Sequence, residues 1–145
     1  LAIGSIDESG WAYIASHAAS TGASAEYIED EKKAQMETIR KRRSQYTPIR
    51  PPLDPAGRIV IVIDDGLATG ATMISALHGL RARNPAKLIC AVPVAPPETL
   101  KKVANMADEV VCLESPEYFM AVGQFYLNFS QVEDEEVINI LRHST

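Results

Sequence analysis

The chain reads as an α/β fold, a mainly parallel central sheet flanked by helices with a short antiparallel flap beside it, and three observations point there. Ile59–Ile63 is an unbroken β-branched run, Lys87–Val94 is a second apolar run of strand length, and Glu109–Leu113 is a third. Apolar-periodic segments over 73–83 and 97–107 separate them. Strands that alternate with helices of about ten to fifteen residues form βαβ units, which pair in parallel through right-handed crossovers.

Taken in order, Leu1–Ile6 and Trp11–Ala15 are short strands around Asp7-Glu8-Ser9-Gly10, a composition suited to a hairpin turn. From Ser24 to about Tyr46 the pattern is helical. Acids (Glu26, Glu29, Asp30, Glu31) lead and bases (Arg40, Lys41, Arg42, Arg43) follow, the order the helix dipole favours. Thr47–Pro55 holds three separated proline breaks and reads as an extended connector. Ile59–Ile63 then has the composition of a strand buried on both faces. The helix over 73–83 stops at Asn84-Pro85, Lys87–Val94 is a second buried strand, and Pro97–Ala107 is a helix leading to the strand at Glu109–Leu113. Residues 1–145 are expected to form one domain, with 11–46 as a mobile flap and helix.

The chemistry concentrates at residues 59–72, where the strand runs into Asp64-Asp65-Gly66-Leu67-Ala68-Thr69-Gly70-Ala71-Thr72. Open α/β sheets bind ligands at the carboxyl ends of their strands, which is where the acid pair falls. Two adjacent carboxylates accept hydrogen bonds from a sugar diol, directly or through the hydration shell of a hard cation such as Mg²⁺. Gly66 and Gly70 let a ligand approach the main chain, and the hydroxyls of Thr69 and Thr72 join the first-turn amides in a site for a phosphate monoester. Each piece has a plainer explanation. Asp-Asp-Gly is also an ordinary turn, and Thr72 is also a helix cap. Two other phosphate motifs are excluded by spacing. A Gly-x-x-x-x-Gly-Lys-Ser/Thr loop needs four residues between its glycines, whereas three lie between Gly66 and Gly70 and Ala71 stands in the lysine position. The dinucleotide Gly-x-Gly-x-x-Gly is absent.

Apolar strand, two acids and Thr-Gly-x-Thr together resemble the phosphoribosyl diphosphate (PRPP) motif of type I phosphoribosyltransferases. That resemblance implies a Rossmann-like type I phosphoribosyltransferase fold. It also implies that Asp64 and Asp65 hold the ribose 2- and 3-hydroxyls, with Mg²⁺ bound through PRPP, and that Gly66, Ala68, Thr69, Gly70, Ala71 and Thr72 surround the 5-phosphate. The hypoxanthine-guanine branch carries an Asp where this chain has Ala68, so the chain departs from that branch and agrees there with adenine-type members. Pro51-Pro52-Leu53-Asp54, Ala91–Ala95 and Pro116–Gly123 extend the likeness to a bacterial group of phosphoribosyltransferases of unsettled substrate. Members of that group carry a diphosphate-binding loop reading much like Arg-Gly-Gly. None is visible in a chain that starts at Leu1, so an N-terminal strand and the diphosphate loop are expected to be missing.

Net charge of −5 and a pI near 5.2 leave no basic footprint for nucleic acid. No apolar stretch approaches the roughly 20 residues of a membrane span and no basic-then-apolar leader is present, so the cytoplasm is the default expectation. Cys90 and Cys112 lie in apolar strand-like runs and read as small buried hydrophobes. The resemblance implies a mobile loop or hood in the part of the chain that holds Arg40 and Arg43, which makes them candidate diphosphate contacts; the alternative is a solvated helix end. The resemblance implies an aromatic after the last core strand that stacks on the base, and Phe119 is the nearest match, with core packing as the plainer alternative. His17, His78 and His143 show no metal-ligand spacing, and no nucleophile triad is evident.

Two functions follow from the resemblance. One is an enzyme that transfers the phosphoribosyl group of PRPP to a nitrogenous base with release of diphosphate. The other is a regulatory module that binds PRPP or a nucleotide without turnover. Expected partners are PRPP and a base or nucleotide, and a second copy in a homodimer.

Overall fold

The computed structural model describes residues 2–144; Leu1, in the first expected strand, lies outside them. Strands β1 (Gly4–Ile6) and β2 (Ala12–Ile14) pair antiparallel with Gly4 opposite Ile14. Their turn is organised by Asp7, whose carboxylate accepts from the Ser9 and Trp11 amides at 2.8 and 3.1 Å. A 3-10 turn over Ser16–Thr21 follows, inside the segment expected to be a mobile flap, and ends at Gly22 in a left-handed conformation with φ 75°. Helix α1 (Ala25–Tyr46) is capped by Ser24 Oγ, which accepts from the Tyr27 amide at 3.1 Å. None of its residues is buried. Its carboxyl end is held by helix α4 (Asp134–His143), through Tyr46 Oη donating to Asp134 at 2.6 Å and an Arg42–Asp134 ion pair at 3.3 Å.

The central sheet is parallel, in the order β3 (Ile59–Ile63), β4 (Lys87–Val94), β5 (Glu109–Glu114). Ile61 sits opposite Ile89, and Ala91 opposite Val111. Helix α2 (Ala71–Arg81) connects β3 to β4, and α3 (Pro97–Ala104) connects β4 to β5. Their apolar faces pack on one side of the sheet. There Met73, Ile74, Leu77 and Val103 meet Leu88, Cys90 and Val92 in a core from which water is almost wholly excluded. Asp108 fastens α2 to the sheet, accepting from both terminal nitrogens of Arg81 at 3.2 and 3.0 Å and from the Leu88 amide at 2.7 Å.

Two expectations and one plainer alternative need correction. Ile59–Ile63 is not buried on both faces: Ile59, Ile61 and Ile63 are 67, 55 and 77 % exposed. The reason is that β3 is an edge strand and both connecting helices lie on the other face. The helix expected to end at Ala107 stops at Ala104, because Asn105 caps it and the chain turns into Asp108, which bonds to β4. Thr72 is not the N-cap of its helix; Gly70 holds that position in a left-handed conformation.

Candidate functional site

The acid turn grows directly out of β3. The Asp64 amide still bonds to Ala91 O at 3.4 Å, and after the turn the Leu67 amide returns to the sheet through Val94 O at 3.0 Å. Leu67 is buried, so the turn is pinned at both ends and projects from the carboxyl end of the sheet. Asp64 is half-buried and Asp65 exposed. Asp64 Oδ1 accepts from the Asp65 amide at 2.9 Å. Burial pushes the Asp64 carboxyl above its ordinary range; the Asp65 amide pulls the other way, while the Asp65 carboxylate adds to the rise.

The second half of the site is the start of α2. Gly70 has φ 78°, a region a β-carbon disfavours, and a β-carbon there would lie 2.7 Å from Thr99 Cγ2. Thr99 Oγ1 donates to Ala68 O at 2.7 Å, which ties the loop to α3. Thr69 Oγ1 accepts from the Ala71 amide at 3.4 Å, and Thr72 stands exposed in the first helical turn. The loop therefore wraps the amino end of an eleven-residue helix whose first-turn amides have no intrahelical acceptor. A neighbouring cleft of about 610 Å³ joins Ala68 and Thr69 to Tyr13, His17, Lys102 and Phe119. A larger groove, about 810 Å³, runs between the hairpin and α1 and includes none of the motif residues.

Residues 8–130 match the phosphoribosyl transferase domain. The chain belongs to that family. Among its relatives are two Mycobacterium tuberculosis proteins, from strains CDC 1551 and H37Rv, named provisionally as phosphoribosyl transferases. Each is 40 % identical over 109 residues, which is 75 % of this chain and 25 % of theirs, so the chain spans about a quarter of the length of these curated relatives. In three dimensions it resembles a crystal structure of the Thermus thermophilus protein TT1426. The TM-score is 0.76 at 40 % identity, covering 97 % of this chain and 67 % of that one.

Within this phosphoribosyl transferase domain the remaining candidates separate. Phe119 does line the cleft beside Thr69, and its ring leans on Phe125 with centroids 5.3 Å apart. Arg43 is paired with Glu8 at 2.9 Å and Arg40 is exposed; among the described residues no hydrogen bond or ion pair joins either to the acid turn. Cys90 is fully buried, and burial, with lesser contributions from Cys112 and Asp64, raises its thiol to about 11, which disfavours the thiolate. Cys112 is only half-buried and donates to Glu114 O at 3.1 Å. His78 is structural, stacked on Trp11 and bonded to Asp7. No helix among the described residues is long and apolar enough to cross a membrane.

One contact to the acid turn was beyond sequence reasoning. Tyr126 Oη donates to Asp65 O at 2.6 Å from 61 residues away, a separation at which no local pattern connects the two. Only the aromatic concentration at 118–129 hinted that this segment had a surface to cover.

Proposed function

We propose that the domain binds PRPP and transfers its phosphoribosyl group to a nitrogenous base. In that reaction the bond from the sugar 1-carbon to the diphosphate oxygen breaks, a bond from that carbon to a base nitrogen forms, diphosphate leaves with the electron pair, and any proton the nitrogen carried passes to water. The observation that carries this reading is the continuity of two subsites. The Asp64–Asp65 pair and the Gly70-centred helix start are five residues apart on one turn pinned to the sheet. Ribose hydroxyls on the acids would place the 5-phosphate at the amides, where the helix dipole favours negative charge.

The acid pair suits Mg²⁺ held together with substrate. Its donors are hard oxygens, and among the described residues no cluster of three or more metal-ligating side chains would cage a metal without substrate. A cation would also offset the burial that raises Asp64 and the smaller repulsion from Asp65. Bound there, Mg²⁺ would offset charge on the leaving diphosphate. Asp64 and Asp65 would orient the sugar, and Gly66, Ala68, Thr69, Gly70, Ala71 and Thr72 would hold the phosphate. Phe119 would offer a face to the base.

Calorimetric titration with PRPP, with and without Mg²⁺, tests the site. Mg²⁺-dependent binding that falls at least tenfold in Asp64→Asn/Asp65→Asn supports it, whereas equal affinity in the double variant removes the acids from the site. Binding without turnover of any base tested would favour the regulatory module over the enzyme.

A further inference from the structure

We infer that Tyr126 is a positioning residue for the acid turn: its hydroxyl locks the Asp65–Gly66 peptide and so fixes where the two carboxylates point. The carbonyl of Asp65 and the amide of Gly66 belong to one planar unit. A glycine beyond that unit lowers the steric barrier to turning it over. Tyr126 Oη, donating at 2.6 Å to Asp65 O, is satisfied only when the carbonyl faces it, and so selects one orientation.

The segment that delivers Tyr126 is built to lie against this turn. A β-carbon on Gly66 would come within 2.7 Å of Val122 Cγ1, and one on Gly123 within 2.9 Å of Phe129 Cδ1, so two glycines permit the close approach. Phe129 leans on the Tyr126 ring with centroids 5.1 Å apart. Gln124 Oε1 accepts from the Met120 and Ala121 amides at 2.8 and 3.0 Å and gives the strap its own framework. Yet Tyr126 and Phe129 remain 36 and 49 % exposed. Burial alone is a poor account of aromatic side chains left that open, while the hydroxyl bond to the turn explains where Tyr126 sits.

Tyr126→Phe removes only the hydroxyl, and amide hydrogen exchange in the whole 145-residue chain reads the lock without any ligand. The Leu67 amide, which bonds to Val94 O at 3.0 Å and closes the same turn, should exchange about tenfold faster in the variant, the factor an ordinary net hydrogen bond is worth. The Cys90 amide, at the centre of the sheet, should be unchanged, and Leu127→Ala, an exposed position on the same strap, should leave Leu67 as in the wild type. The effect on ligands rests on the ribose-phosphate reading of the site. Ribose 5-phosphate with Mg²⁺ should bind several-fold more weakly while inorganic phosphate binds as before, because only the diol depends on the acid turn. Equal Leu67 exchange in Tyr126→Phe and wild type overturns the lock. Equal weakening of both ligands overturns the positioning role in favour of general loosening. A wild-type chain that binds neither ligand sinks the ribose-phosphate reading, and the exchange comparison then decides the lock alone.

Discussion

Burial holds the Asp64 carboxyl above its ordinary range, so the ionised form that a diol or a hydrated cation needs is the form the fold disfavours. The sign follows by linkage. A raised folded value means that the contribution to stability is present below the ordinary carboxylate value and is lost as pH rises through the raised one. At pH 7 the ionised side chain therefore costs stability, moderated by water on its exposed half. Asp64→Asn should raise the thermal midpoint at pH 7 by about 1 °C, the scale of a few tenths of a kcal/mol in a domain of this size, and the gain should shrink as pH falls toward 3. Melting curves at the two pH values check this, and a lower midpoint at pH 7 would mean the carboxylate has a stabilising partner instead. Gly70 has the opposite character. Gly70→Val forces a β-branched residue into φ 78° and against Thr99, and should cost about 2 kcal/mol or more in urea unfolding along with the phosphate affinity.

Among the elements, the β1–β2 hairpin is tied to α2 through one small cluster. Asp7, its side chain only 7 % exposed, bonds to His78 Nδ1 at 3.2 Å, and Trp11 stacks on the His78 ring with centroids 3.7 Å apart at 10°. Burial alone would push the Asp7 carboxyl up, but bonds from Ser9, His78 and Trp11 together outweigh it and hold the group below its ordinary value. The stability this confers is present above the ordinary carboxylate value and is lost as pH falls through the lowered one. Trp11 is the only tryptophan, so its emission reports hairpin docking. Asp7→Ala, which strands the Ser9 and Trp11 amides, should lower urea stability by about 1–3 kcal/mol at pH 7. Below about pH 5 the wild-type advantage should narrow, given an ordinary Asp value near 3.9. A difference that held constant down to pH 2 would remove Asp7 ionisation from the docking energy.

At the scale of the molecule, what could be read in advance was what local pattern controls. Lys87–Val94 and Ile59–Ile63 have the bounds their apolar runs suggest, and Asp64 through Thr72 lie where a strand-end turn should place them. Helix α4 was legible and overlooked: Asp134, Glu135 and Glu136 open it and Arg142 and His143 close it, the same dipole order that marked α1. The Tyr126–Asp65 bond and the docking of Asp7 on His78, 71 residues apart, depend on tertiary proximity that no window of sequence contains. The misreading of β3 has a different cause, because a β-branched run records that a strand suits burial and not how many faces are covered. Ile59, Ile61 and Ile63 on β3 thus share with Val111 and Leu113 on β5 an apolar sheet face open to solvent.

That open face separates residues that hold the fold from residues that only resemble a core. Leu77, with no exposed surface, packs between α2 and the sheet, and Leu77→Ala should cost about 2–5 kcal/mol. Ile63 and Leu113 are 77 and 76 % exposed, so Ile63→Thr with Leu113→Thr removes little buried area and should change stability by no more than about 1 kcal/mol. An apolar patch on this scale should nonetheless bind hydrophobic dyes and promote association as concentration rises. The double variant should therefore unfold at nearly the wild-type urea midpoint while binding less dye and scattering less light in a concentration series. A loss of several kcal/mol would mean instead that this face is buried in solution, and that Ile63 and Leu113 are core residues of a larger assembly.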